Sequence, residues 1–181
     1  MIKHNYHIIS GGPGSGKTSV LNEIANRKFE VVREVAREII ISQREQGGCA
    51  THDGDQGAFR ELMFLESLSD YKKHTAINTP MFFDRGIADI AGYSLLIDMP
   101  LTQNMQHAID TYKYNPNVFF FPPWEQIYKK DSERHQDFSE AKITYKLIKS
   151  AYVANNYHVI EVPFFDVKSR VDFILDTIKI R

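Results

Sequence analysis

Residues 11–18 read Gly-Gly-Pro-Gly-Ser-Gly-Lys-Thr, a complete G-x-x-x-x-G-K-[ST] pattern. This octet restricts the fold, because its backbone wraps a phosphate only when a strand enters it and a helix leaves it. Both neighbours are present. The apolar run Tyr6–Ser10 precedes it, and Ser19-Val20-Leu21-Asn22-Glu23-Ile24-Ala25 follows with helical spacing. Glycines allow backbone N–H groups to turn inward on an anion, and a helix starting at Lys17 adds its positive dipole end. The pattern predicts a nucleoside triphosphate site contacted by Gly11, Gly12, Pro13, Gly14, Ser15, Gly16, Lys17, Thr18 and Ser19. Lys17 would reach the β- and γ-phosphates and the Thr18 hydroxyl would ligate Mg²⁺. A glycine-rich turn with an accidental lysine is the alternative, and the flanking segments argue against it.

A chain of 181 residues suits a single domain spanning 1–181 with a sizeable core. Lys plus Arg total 22 against 23 Asp plus Glu, so there is no broad positive field to hold nucleic acid or an anionic membrane. Positive charge that matters must be local, as in a phosphate pocket. Cys49 is the only cysteine, which excludes an internal disulfide and a cysteine-built metal site. The N-terminus has no signal-peptide pattern and no stretch approaches the length of a membrane span, so a cytoplasmic location is expected.

Strand-like segments at Tyr6–Ser10, Phe29–Arg33, Pro80–Asp84, Val118–Phe121 and Tyr157–Val162 alternate with helical ones. Pro122-Pro123 stops the fourth strand and Pro163 the fifth, since proline donates nothing to a ladder. Helices are expected near 35–45, 56–75, 87–97, 103–113, 140–155 and 167–179. Ser139 and Asp166 are the expected N-caps of the last two. Phe59, Leu62, Met63, Leu65 and Leu68 give the 56–75 helix its expected apolar face. This alternation predicts an α/β fold, a parallel sheet covered by helices on both faces.

Two further patterns fail. Asp53-Gly54-Asp55 has the start of a calcium loop, but its twelfth position is Phe64 and not Glu. The histidines have no metal-binding spacing, so His4 and His7 are expected to be surface or packed side chains.

Asp84 ends the third strand, where a Walker-B-type carboxylate belongs, and Arg85-Gly86 follow it. Asp84 would hold Mg²⁺ or accept a proton, and Arg85 would point its planar fork at an acceptor or phosphate. A structural ion pair is the alternative for Asp84. Glu34, just after the second strand, could hydrogen-bond a substrate hydroxyl or act as base. A solvated network with Arg37 and Glu38 is equally consistent with its spacing. The polar segment at about 124–138 has the composition of a mobile lid, with Arg134 at the transferred phosphoryl and Lys129 and Lys130 behind it. An exposed linker is the alternative there.

The 11–18 loop, Arg33-Glu34-Val35-Ala36-Arg37-Glu38, Phe83-Asp84-Arg85-Gly86 and the 131–134 segment together resemble a family of predicted AAA-domain ATPases. That family is related to the ribosylnicotinamide kinase domain of a bifunctional regulator of NAD biosynthesis, and more broadly to P-loop nucleoside and nucleotide kinases. The resemblance implies a P-loop NTPase with a three-layer α/β/α sandwich and strand order 2-3-1-4-5. It equates Asp84-Arg85 with the Asp-Arg turn of thymidylate-kinase-like enzymes and Arg134 with a lid arginine. It also places Phe164, in Pro163-Phe164-Phe165-Asp166, where such kinases hold adenine.

These readings lead to an expected Mg-ATP-dependent kinase. It would phosphorylate a hydroxyl of a nucleoside-like or other small acceptor held between Glu34, Asp84, Arg85 and the 51–75 region. A nucleotide-hydrolysing switch and a weakly active ATP-binding module are the rivals. The absence of an Asn-Lys-x-Asp motif argues mildly against GTP.

Overall fold

Alternation of side chains along each strand decides the layering. In β1 (Tyr6–Gly11) every residue is buried, as a central strand covered on both faces requires. The computed structural model describes residues 2–128 and 137–179. The other strands are β2 (Glu30–Val32), β3 (Met81–Asp84), β4 (Asn117–Phe121) and β5 (His158–Glu161). All pairings are parallel, and the strand order is β2-β3-β1-β4-β5, as expected.

The helices are α1 (Lys17–Asn26), α2 (Val35–Glu45), α3 (Gln56–Lys73), α4 (Asp89–Leu96), α5 (Gln103–Thr111), α6 (Phe138–Ala154) and α7 (Val167–Thr177). Tyr6, Ile8, Phe83 and Phe120 face one core, which Phe59 of α3, Ile90 of α4, Met105 of α5 and Ile148 of α6 complete. Ile9, Phe82, Phe119 and Phe121 face the other, closed by Val20 and Leu21 of α1 and Val171 and Ile174 of α7. The result is a three-layer sandwich whose two cores follow the period-2 rule of the strands.

Local expectations needed three corrections. The N-cap of α6 is Asp137 and not Ser139: Asp137 Oδ1 accepts from the Glu140 backbone N–H, and Glu140 Oε2 accepts from that of Asp137. This reciprocal pair satisfies two donors at once, which a serine two residues later cannot do. Helix α6 therefore begins within the segment expected as a lid, and a short 3₁₀ turn forms at Glu125–Ile127. On α3, Leu65 points to solvent while Phe59, Met63, Phe64 and Tyr71 are buried. Two residues beyond Met63 is a rotation of roughly 200°, away from the core.

Candidate active site

Backbone geometry builds the phosphate loop. Gly11 sits at φ 133°, and a Cβ there would lie 2.4 Å from the Phe121 carbonyl oxygen of the adjacent strand. Gly16, the residue before α1, sits at φ 86° in the left-handed region, which favours glycine. Ser15 Oγ and Lys17 Nζ both donate to the Gly12 carbonyl, at 2.9 and 2.7 Å. Helix α1 has no side-chain N-cap and no acid in its first turn, so its own residues leave its positive end open to an anion. Thr18 and Ser19 are exposed in that turn. Burial, and then the charge of Arg85, lower the Lys17 pKa to about 8 against the pull of Asp84, Glu34 and Asp89.

Across the loop, strand pairing sets Asp84 beside Ile9. Asp84 is buried, forms no salt bridge among the described residues, and its Oδ1 has no hydrogen-bond partner. Burial and the neighbouring Glu34 push its pKa up to about 7, against Lys17 and Arg85. Arg85 turns away from it through a left-handed backbone, φ 73°. Its Nε donates to Glu34 Oε1 at 2.5 Å, and its Nη1 to the Gly11 carbonyl at 3.2 Å and Asp89 Oδ1 at 3.1 Å. Burial opposes the Arg85 charge, but Glu34, Asp89 and Asp84 hold its pKa above the ordinary value. Burial likewise works against the Glu34 carboxylate, and Arg85 and Lys17 outweigh it, holding that pKa below the usual range.

Asp89, the first residue of α4, anchors this arrangement. Its carboxylate accepts from Ser10 Oγ at 2.6 Å, Arg85 Nη1, the Gly86 N–H at 2.8 Å and the Tyr152 hydroxyl at 2.5 Å. Four donors keep a buried carboxylate satisfied. One cavity of about 610 Å³ joins this cluster to the phosphate loop. Beyond the loop its wall is largely apolar, with Phe59 and Met63 of α3, Ile90 and Tyr93 of α4, and Ile148 of α6. It is thus a phosphate cradle continuous with a second compartment large enough for a small organic molecule.

A model of the AAA domain family matches residues 6–170, nearly the whole length of the chain. The chain belongs to that family. Among relatives of this AAA-domain chain, a thymidylate kinase of Chlamydia trachomatis serovar L2 is 23% identical over 177 residues, covering 81% of this chain and 82% of its own. Deoxyadenosine kinase from M. mycoides with bound dATP superposes with a TM-score of 0.63 at 15% identity, over 96% of this chain and 99% of its own. Thymidylate kinase from Candida albicans gives 0.64 at 14% identity, over 96% and 90%. The AAA-domain chain thus has a P-loop, small-molecule-kinase-like fold with distant thymidylate and deoxynucleoside kinase relatives.

Of the expected site residues, the fold gathers Pro13–Ser19, Glu34, Asp84 and Arg85 around one cavity, with Gly11 and Gly12 at its base. The 51–75 region contributes His52, Phe59, Met63, Ser67 and Asp70. Arg85 lines the cavity with its Nε and Nη1 donating to Glu34, Gly11 and Asp89. Glu34 pairs with Arg85, and the charge of Arg37, on the first turn of α2, also acts on its carboxylate. Arg37 is exposed at the cavity rim. Phe164 lies outside the cavity, half-exposed, its ring 5.2 Å from that of Trp124. Arg134, Lys129 and Lys130 lie outside the described residues.

Sequence reasoning missed Asp89, Arg170 and Tyr93. Arg170 of α7 is buried; its Nη1 donates to the Ser15 carbonyl at 3.1 Å, and its guanidinium lies over the Phe121 and Trp124 rings. It supports the phosphate loop from beneath. No local motif marks it, because it meets Ser15 only once β5 and α7 have packed against α1.

Proposed function

We propose that this chain is a Mg-ATP-dependent kinase that transfers the γ-phosphoryl group to a hydroxyl of a nucleoside-like small molecule. The observation that carries this reading is the continuity of the phosphate loop with an apolar compartment across Asp84, Glu34 and Arg85. A simple hydrolase has no need of that second compartment. The relatives named above, all kinases, support the same reaction class, and the family's link to a ribosylnicotinamide kinase domain points the same way.

The residues present fit the nucleotide and its metal. Lys17 Nζ and Ser15 Oγ rest on the Gly12 carbonyl in the cradle a phosphate would fill, and Asp84 Oδ1 is a buried acceptor lacking a donor. Thr18 and Asp84 would hold Mg²⁺, which keeps waters and phosphate oxygens as its remaining ligands. When bound, the ion neutralises charge on the β- and γ-phosphates. Lys17 and the N–H groups of Gly12 and of residues 14–18 would orient the triphosphate. Glu34, held by Arg85, accepts the proton of the acceptor hydroxyl. The hydroxyl oxygen bonds to the γ-phosphorus, the bond from that phosphorus to the β,γ-bridging oxygen breaks, and ADP leaves with its electron pair. Positioning and charge stabilisation supply most of the rate in such a loose transition state.

Measurement of ADP release with and without a panel of nucleosides tests the reading, with Lys17→Ala as the control. An acceptor-dependent rise with a phosphorylated product is expected. At about 100 times its Kd, nucleotide should stabilise the wild type by roughly 2.7 kcal/mol and the variant hardly at all. ADP release indifferent to every acceptor would overturn the kinase reading in favour of a hydrolysing switch.

A further inference from the structure

The acceptor compartment contains a polar atom that the protein leaves unsatisfied. Tyr93 lines the cavity from α4, and its buried hydroxyl has no hydrogen-bond partner. Thr144 of α6, next to Tyr145 and about one turn from Ala141, both of which abut Gly12, carries a second such hydroxyl in the same cavity. A buried hydroxyl without a partner is destabilising, and native chains rarely keep one unless a ligand completes it. The Tyr93 ring packs at 81° against Phe59, with centroids 5.8 Å apart, a contact within the protein that orients the ring. Burial pushes its pKa up to about 12, which keeps it a donor at neutral pH.

The charges lining the cavity restrict what the acceptor can carry. Glu34, Asp70, Asp84 and Asp89 all line the cavity. Among the cations, Lys17 donates to the Gly12 carbonyl in the phosphate cradle, Arg85 has Nε and Nη1 bound to Glu34, Gly11 and Asp89, and Arg170 lies under the phosphate loop. Arg60, whose charge reaches the Tyr93 hydroxyl, donates from Nη1 to Ser94 Oγ and the Met99 and Pro100 carbonyls. Arg33 and Arg37 sit at the rim, both exposed. A phosphate dianion on the acceptor would face carboxylates, whereas a neutral ring with one polar edge would meet apolar walls and a waiting donor.

We propose that the acceptor is an unphosphorylated nucleoside whose base accepts a hydrogen bond from Tyr93, and that the site rejects nucleoside monophosphates. This rests on the kinase reading above. The transferred phosphoryl goes to a nucleoside hydroxyl with the bond changes already given.

Calorimetric titration of adenosine, cytidine, thymidine and uridine, each against its own 5′-monophosphate, tests the proposal with a non-hydrolysable ATP analogue and Mg²⁺ present. At least one nucleoside should bind about tenfold or more tightly than its monophosphate. Tyr93→Phe should weaken that nucleoside about tenfold, leave the analogue's Kd unchanged, and hold or raise the melting temperature of the empty protein, because it removes an unsatisfied group. A purely structural role for the hydroxyl would lower that temperature instead. Equal or tighter monophosphate binding, no binding of any nucleoside, or an indifferent Tyr93→Phe would overturn it. Phosphoryl transfer to a monophosphate would overturn it while leaving the kinase reading standing.

Discussion

Replacing Asp84 by asparagine should stabilise the empty protein and weaken its response to Mg-ATP, two effects of opposite sign from one atom exchange. The carboxylate is buried, its Oδ1 lacks a partner, and burial together with Glu34 raises its pKa to about 7. A carboxyl raised above its unfolded value contributes stability at pH values below that unfolded value. That contribution is lost as pH rises through the folded value. Roughly three units of displacement at about 1.4 kcal/mol each set an upper limit near 4 kcal/mol by about pH 8. Lys17 titrates alongside, and an asparagine amide also wants a partner, so a net gain of about 1–2 kcal/mol is expected. Urea denaturation of both proteins at pH 5, 6.5 and 8, with and without Mg-ATP, measures it. The variant's advantage without ligand should grow from pH 5 to 8 and reverse with saturating Mg-ATP. A variant less stable than wild type at pH 8 without ligand would show that Asp84 is a structural partner, and the reasoning would fall.

Gly16→Ala should cost about 1–2 kcal/mol, because φ is 86° and the new Cβ would meet the Arg170 guanidinium at 3.0 Å. The same variant should lose its nucleotide-induced melting shift, which thermal scans with and without ATP would reveal. Burial lowers the pKa of His7, packed against Phe82, to about 4, so the folded protein keeps it neutral. Its contribution is therefore complete above about pH 6.5 and is lost toward pH 4, at up to roughly 1.4 kcal/mol per unit. His7→Leu should flatten the acid side of the stability profile, and an unchanged slope would refute this.

Legibility in the sequence followed the range of the interactions involved. The phosphate loop is eight consecutive residues whose geometry is local, so pattern alone identifies it. Asp84 was legible because an apolar run ends in a carboxylate, and β4 because Pro122-Pro123 end it. The α6 cap was legible but overlooked, since Asp137 and Glu140 have capping-box spacing. Asp89 was different: Ser10, Gly86 and Tyr152 converge on it from β1, the turn after β3, and α6, segments far apart in sequence. Tyr93 and Arg170 became site residues only through helix packing, which no periodicity reports.

The two sides of the cavity are not built alike. The phosphate side stands on β1, buried along its whole length, and on a carboxylate that draws several chain segments to one point. Part of the opposite side, beside the α3, α4 and α6 wall, stands on β2, three residues at the sheet edge, and on α2, which buries only Ile39. Elements with so little buried surface open at a small fraction of the global unfolding free energy. The cavity thus works as a fixed anvil facing a compliant jaw. On the proposed kinase reading, the triphosphate would meet a surface already shaped for it, and part of the adjustment needed to admit and release an acceptor would fall to the β2–α2 side.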